Sequence, residues 1–240
     1  MDSAAFYDKF IEYQVQSGIN DRIYGLYERT CRLGLKPGDD ILEIGCGIGT
    51  LTYLLLKKVT TGKIDAVDIS PASVEFARRH LRADNLTLTA ADILHFEPRS
   101  KAFDKILVYD VLEHIPVTDH PKLFQQISKW MKEESLLLIN FPNPAAILYE
   151  QQHDPSGLQE TDQPLYTGPL AAAMEAAGID LLSVETYDVW QKEEYRFIVA
   201  RKRREFDPRP LSQQRSFMQK GILWMKRKWR KLRHPYPPQK

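Results

Sequence analysis

Apolar positions along the chain change their period repeatedly, and each change predicts an element. Ile41, Leu42 and Ile44 form a short apolar run, the pattern of a strand buried on both faces. Leu51, Leu54, Leu55 and Leu56 then recur at helical spacing. Residues 63–68 read as a second strand, followed by a helix through Val74, Phe76, Ala77 and Leu81 that Ser70-Pro71 starts. Residues 86–90 and 103–110 read as the third and fourth strands. Leu123, Phe124, Ile127 and Trp130 mark a helix, and 135–141 a fifth strand. An alanine-rich helix from Pro169 to Ala177 stops at Gly178. Residues 179–190 and 195–201 close the pattern as an antiparallel hairpin. Strands alternating with helices predict an α/β fold: a doubly wound, seven-stranded, mostly parallel sheet whose last strand is antiparallel.

Both ends extend beyond this pattern. Phe6, Phe10, Tyr13, Ile23, Leu26, Tyr27 and Leu33 predict two N-terminal helices broken near Ser17-Gly18. Residues 142–166 are poor in apolar side chains and read as a long connection holding Tyr149, His153, Asp154, Asp162 and Tyr166. Long connections in compact domains are often functional. Past Asp207-Pro208-Arg209-Pro210, residues 211–233 predict one amphipathic helix. Met218, Ile222, Met225, Trp229 and Leu232 step by four and three onto one face, and Lys220, Lys226, Arg227, Arg230 and Lys231 fall on the other. The domain plan is a helical segment over 1–35, the α/β domain over 36–203 and a basic amphipathic tail over 204–240.

Composition narrows the setting. With 240 residues and 43% hydrophobic content, the chain can bury one sizeable core. Its two cysteines, Cys31 and Cys46, form no disulfide framework and no C-x-x-C metal spacing, so no metal is expected. The first residues lack the shape of a signal peptide, and no apolar run approaches the roughly 20 residues of a membrane span. These features predict a cytoplasmic protein. The net charge of +1 hides an asymmetry. The last forty residues hold 14 Lys+Arg against Glu205 and Asp207, a net +12, while the rest carries −11. The tail's apolar stripe has three destinations: the acidic body or a twin subunit in a homodimer, an anionic membrane surface at the inner face, or nucleic-acid phosphates.

The chemistry starts at Glu43-Ile44-Gly45-Cys46-Gly47-Ile48-Gly49-Thr50, where three alternating glycines join a strand to a helix. A dinucleotide fingerprint, G-x-G-x-x-G, requires glycine where Thr50 stands. Asp68 ends the second strand, 23 residues after Gly45, where a carboxylate can accept from ribose hydroxyls. The string EIGCGIGT resembles motif I of the class I S-adenosylmethionine-dependent methyltransferases, and YDVLEHIP over 109–116 resembles the signature that follows their fourth strand in small-molecule members. The resemblance covers about residues 36–202 and implies the Rossmann-like form of the sheet. It also implies S-adenosyl-L-methionine as cofactor, with the N-terminal helices as a lid. It places Glu43, Gly45, Cys46, Gly47 and Gly49 in the cofactor loop, Asp68 on the ribose, Ile69 and Ile93 on the adenine faces, and Asp92 on the adenine amino group. Asp110 then faces the methionine end or the acceptor.

The acceptor is less legible. The Asn/Asp-Pro-Pro-Tyr/Phe motif of nucleobase amino-methyltransferases is absent after the fourth strand, as is a nucleophilic cysteine, which disfavours DNA. His114 and His153 are candidate general bases, since histidine titrates near neutral pH. The expected activity is methyl transfer to a hydroxyl, amine or carbon of a small-molecule, glycan or lipid-linked acceptor. Two alternatives stand beside it: an RNA methyltransferase using the basic tail, and a non-catalytic module that binds S-adenosylmethionine.

Overall fold

The computed structural model describes residues 11–100, 102–153 and 162–234. Phe6, Phe10 and Asp154 lie outside the described residues. The chain divides into two compact units, the first ending at Arg203 and the second starting at Arg204. The first holds a seven-stranded sheet: β1 (Ile41–Ile44), β2 (Ile64–Asp68), β3 (Leu86–Ala90), β4 (Phe103–Tyr109), β5 (Met131–Pro142), β6 (Ile179–Tyr187) and β7 (Tyr195–Lys202). Its order is β3-β2-β1-β4-β5-β7-β6. All pairs among β1 to β5 are parallel, and β7 runs antiparallel to both β5 and β6. The expected doubly wound topology is therefore present, with the chain reversing direction across the sheet between β1 and β4. Such a switch point opens a crevice at the carboxyl ends of the strands.

Central strands are apolar throughout because both faces are covered. Every residue of β1 is buried, and so is every residue of β4 but Asp104. Residues 11–17 (α1), α2 (Asp21–Arg32) and α3 (Thr50–Lys58) precede α4 (Pro71–His80), α5 (His120–Trp130), α6 (Pro144–His153) and α7 (Thr167–Ala176). One core cluster joins Leu26, Leu51 and Leu55 from α2 and α3 to the sheet. The other joins Phe124, Trp130, Leu170 and Met174 from α5 and α7 to the opposite face. Fully burying each such side chain stabilises the fold by about 1.5–3 kcal/mol. Local signals set the helix starts: the Asn20 carboxamide accepts the Ile23 N–H at 3.0 Å, and the Ser70 hydroxyl accepts the Ser73 N–H at 3.1 Å.

Two expectations change. The supposed long connection contains α6, started by Asn143 at the cap and Pro144 at the first helical position. In the second unit, the single helix over 211–233 is two: α8 (Leu211–Gln214) and α9 (Phe217–Arg233). Ser216 and Gln219 form a capping box between them, so α9 starts afresh. No described helix is long and apolar enough to cross a membrane.

Candidate functional site

A cavity of about 420 Å³ opens at the carboxyl edge of the sheet, a size typical of small-ligand sites. Its walls come from the glycine loop, from Asp68, Ile69, Asp92 and Ile93 beyond β2 and β3, and from Asp110, Glu113 and His114 beyond β4. Tyr13, Gln14, Arg22 and Ile23 of α1 and α2 complete it. A more open depression of about 640 Å³ lies beside β3, but no residue of the glycine loop or of the 109–116 string lines it. The candidate site is therefore the smaller cavity.

The three loop glycines do different work. Gly45 has φ +80°, and a side chain there would strike Cγ2 of Val111. Its N–H and that of Cys46 donate to the Val67 carbonyl at 2.8 and 3.1 Å, closing the turn onto β2. Gly49, at φ +87°, caps α3 against Leu81. Gly47, at φ +52°, has as its nearest neighbour the Gln14 amide nitrogen, 3.2 Å from where a Cβ would stand, and both residues line the cavity. Gly47 is thus the glycine that leaves the cavity open.

Asp68 braces this loop. Its Oδ2 accepts the Gly47 N–H at 2.7 Å and its Oδ1 the Ser70 N–H at 2.9 Å. Each carboxylate oxygen has a second lone pair with which to meet a ligand hydroxyl. Burial pushes the Asp68 pKa up, against the two backbone bonds that lower it. Glu43 lies beneath the loop, almost wholly buried, and accepts from the Thr52 hydroxyl at 2.6 Å. Burial pushes its pKa up to about 8. Burial likewise raises the Cys46 thiol, which keeps it un-ionised. Asp92 caps the 3₁₀ turn Ile93–His95 through the Leu94 N–H at 2.9 Å and pairs with His95 at 3.0 Å.

The other half of the edge is a polar network. Asp110 takes φ +56°, a left-handed conformation that Asp tolerates better than most residues. Its carboxylate meets Arg22 at 3.2 Å and accepts from the Asn140 amide at 2.7 Å. Tyr187 donates to Asn140 at 2.8 Å, and Arg22 donates to the Tyr195 hydroxyl at 3.1 Å. The antiparallel register brings these tyrosines here, since Tyr195 pairs with Tyr187 and with Pro142. Sequence reasoning missed Arg22, Asn140, Tyr187 and Tyr195.

The turn Leu112–His114 carries the titratable pair. His120 fixes it from below, its Nε2–H donating to the Leu112 and Ile115 carbonyls at 3.1 and 3.0 Å. Gln163 ties the returning chain onto it, through its N–H to the Glu113 carbonyl and its amide to the Ile115 carbonyl. That return delivers Asp162 to Nδ1 of His114 at 2.7 Å. Burial opposes the imidazolium, but Asp162, Glu113 and Asp110 outweigh it and raise the His114 pKa. Glu113 is only 3% exposed, and burial pushes its carboxyl up to about 8 against the pull of His114. The second candidate base is elsewhere: His153 is exposed at the end of α6, stacked on Tyr149, and does not line the cavity. Among the described residues no cluster suits a metal ion.

Comparison with known proteins agrees with this geometry. A family described as "Methyltransferase domain" matches residues 41–134. The chain is 32% identical over 112 residues to an (S)-coclaurine N-methyltransferase of Thalictrum flavum subsp. glaucum, covering 45% of this chain and 30% of that one. It is 33% identical over 116 residues to a trans-aconitate 2-methyltransferase of Enterobacter sp. (strain 638), covering 48% of this chain and 44% of the relative. The matched stretch thus spans less than half the length of these curated relatives. Among solved structures, the fold is similar to that of a Haloferax volcanii complex of the Trm112 methyltransferase activator with a putative methyltransferase. The TM-score there is 0.68 at 14% identity, covering 82% of this chain and 98% of that one. It is similar also to magnesium protoporphyrin IX methyltransferase of Synechocystis PCC 6803 with bound SAH, at TM-score 0.60 and 15% identity, covering 75% and 82%. Sheet order, glycine loop and strand-end acids agree with the family match, which makes residues 41–134 similar to a methyltransferase domain, on a fold shared with solved methyltransferases.

Proposed function

We propose that this chain transfers a methyl group from S-adenosyl-L-methionine to a hydroxyl, amine or carbon of a small-molecule, glycan or lipid-linked acceptor. The observation that carries the reading is one cavity shared by the glycine loop, Asp68, Asp92 and the Asp110–His114 turn. The lining fits the cofactor. Gly47 keeps the loop backbone open to a ligand, Asp68 retains lone pairs for two ribose hydroxyls, and Ile69 and Ile93 offer apolar faces beside Asp92 for an adenine. Glu43 serves from beneath, holding the loop to α3 through Thr52. Tyr13 and Gln14 would cover the site as a lid.

When bound, the cofactor supplies an electrophilic methyl group. The protein aligns the acceptor with it and excludes water, and orientation alone contributes roughly 7–11 kcal/mol. His114 is the general base of this reading. With Asp162 2.7 Å from Nδ1, Nε2 is the nitrogen left to take the acceptor's proton. Asp110, locked by Arg22 and Asn140, holds the acceptor side in shape. Relatives named as N- and O-methyltransferases support the reading of chemistry on small molecules.

The test joins binding to turnover. Calorimetry with S-adenosylhomocysteine should give an affinity that Asp68→Asn lowers by tenfold or more. His114→Ala should keep that affinity and lose at least tenfold in S-adenosylhomocysteine release with an acceptor. Unchanged affinity in Asp68→Asn would refute the ribose assignment. Normal cofactor binding with no turnover on any acceptor would favour a binding module.

The second unit supports an additional reading: peripheral contact with an anionic membrane. Met218, Ile222, Met225, Trp229 and Leu232 of α9 are exposed, on a helix with no acidic residue and with Lys or Arg at seven positions from Lys220 to Arg233.

A further inference from the structure

One acid in the cavity keeps an oxygen that none of the described groups engages. Asp110 meets Arg22, and Asp162 meets His114. Asp68 and Asp92 accept backbone N–H groups, and Glu43 accepts from Thr52. Glu113 also lines the cavity and is 3% exposed, yet among the described residues its Oε2 has no hydrogen-bond partner. Buried carboxylates are normally paired or hydrogen-bonded. An orphaned carboxyl oxygen on a cavity wall is therefore a place for a ligand to donate.

The surrounding charges say which kind. Arg22 and His114 are the basic side chains on this wall, and each is already engaged by an aspartate. Glu150 of α6 adds another acid to the lining. An anionic acceptor would meet Glu113 beside Asp110 and Asp162, with no uncommitted Lys or Arg among the described lining residues. A neutral alcohol could donate to Glu113 but, carrying no charge, would gain nothing from the ionised form of that carboxyl. A cationic nitrogen does both: it donates to the orphaned oxygen and offsets the charge. Trp190 and Tyr195, which also line the cavity, already hold the Arg22 guanidinium over their rings, so this wall is of a kind that attracts cations.

We propose that the methyl acceptor is an amine that binds as its ammonium form, with the Glu113 carboxylate as its anchor. This rests on the methyl-transfer reading above and narrows it to N-methylation. Burial makes the carboxyl of Glu113 hold its proton more tightly than a solvated acid, and pairing with an ammonium favours release of that proton to solvent. For transfer, the ammonium first gives one proton to His114. The freed lone pair then forms the new C–N bond as the C–S bond breaks, with its electron pair returning to sulfur. Glu113 remains beside the methylated, again cationic, product.

The cofactor's own amino-acid ammonium is the competing source of a cation for Glu113, and the experiment separates the two. The full chain is assayed with S-adenosylmethionine against primary and secondary alkyl- and arylalkylamines, the matched alcohols and the matched carboxylic acids, following S-adenosylhomocysteine release. Turnover is expected with amines. Glu113→Gln, nearly isosteric and uncharged, should lower kcat/KM for amines by at least tenfold, mostly through KM, while S-adenosylhomocysteine affinity changes less than twofold. Glu113→Asp should recover part of the loss. Thermal melts of both variants check that the fold is intact. Turnover confined to alcohols or acids overturns the proposal and leaves methyl transfer standing. An equal loss of S-adenosylhomocysteine affinity in Glu113→Gln assigns the acid to the cofactor and also overturns it. Absence of turnover with all three classes overturns the amine, and S-adenosylhomocysteine binding that persists leaves methyl transfer to a carbon acceptor standing.

Discussion

Glu43, Asp68 and Glu113 are carboxyls taken out of water, and in each the burial cost outweighs the groups that favour ionisation. An acid whose folded pKa lies above its unfolded value binds more protons in the folded state between those two values. Its contribution is therefore full below the unfolded value and is lost as pH rises through the folded one. For Glu43 and Glu113 that window runs from 4.5 to about 8. His114, also raised, acts in the same direction, its contribution present below 6.5 and lost above its folded pKa. The opposite case, Asp104 held low by Lys132 despite partial burial, operates only below 3.8. The cofactor-free chain should thus melt several degrees lower at about pH 8.5 than at about pH 5.5. Glu43→Gln should flatten that slope, and a melting temperature that climbs across the window would contradict the assignment. Glu43 and Asp68 were legible in the sequence because each sits at a fixed offset from the glycines. Arg22 and Tyr195 carried no such mark, since only the packing of α2 on the edge and the β7 register bring them to Asp110. Asn140 did leave a trace, a lone amide ending the run Leu-Leu-Leu-Ile.

At the level of elements, the strands were readable because the parallel core is apolar on both faces, while two helix boundaries were not. The connection 142–166 looked polar, yet Asn143-Pro144 is a cap followed by a first-turn proline, and it starts α6. Likewise Ser216-Phe217-Met218-Gln219 is a capping-box string inside the supposed single tail helix, and continuous apolar spacing masked it. The glycine loop, by contrast, was recognised but treated as uniform, whereas its positions differ. A left-handed backbone costs a non-glycine residue about 1–2 kcal/mol, so both Gly45→Ala and Gly47→Ala carry that strain. Only Gly45→Ala also drives a methyl group into Val111. Its melting temperature should fall clearly further than that of Gly47→Ala. The alanine at 47, beside the Gln14 amide, should instead reduce S-adenosylhomocysteine affinity by about tenfold with most of the stability retained. Paired melting and calorimetry decide this. Equal stability of the two variants, or wild-type affinity in Gly47→Ala, would show that the loop does not divide in this way.

Across the whole molecule, the charge asymmetry coincides with the division into units: the strongly basic stretch is the unit that begins at Arg204. That unit has a capped helix with no buried residue, so α9 gains little from packing within its own unit. Isolated helices of this length are marginal in water. An anionic bilayer would supply what is missing. Each Lys or Arg near such a surface contributes about 1 kcal/mol, and the tryptophans and methionines enter the headgroup boundary. Full-length protein should therefore float with vesicles containing phosphatidylglycerol and remain in solution with phosphatidylcholine alone. Raising the salt should weaken this binding, because screening shortens the electrostatic reach from about 8 Å at physiological ionic strength to about 3 Å at 1 M. A chain ending at Arg203 should lose flotation while keeping its affinity for S-adenosylhomocysteine, since every described residue of the cavity lining belongs to the first unit. Equal flotation of both forms, or of neither, would sink the membrane reading. Salt-dependent RNA binding lost on the same truncation would assign the tail to nucleic acid. A change from dimer to monomer in sedimentation would instead assign it to a second copy of the chain.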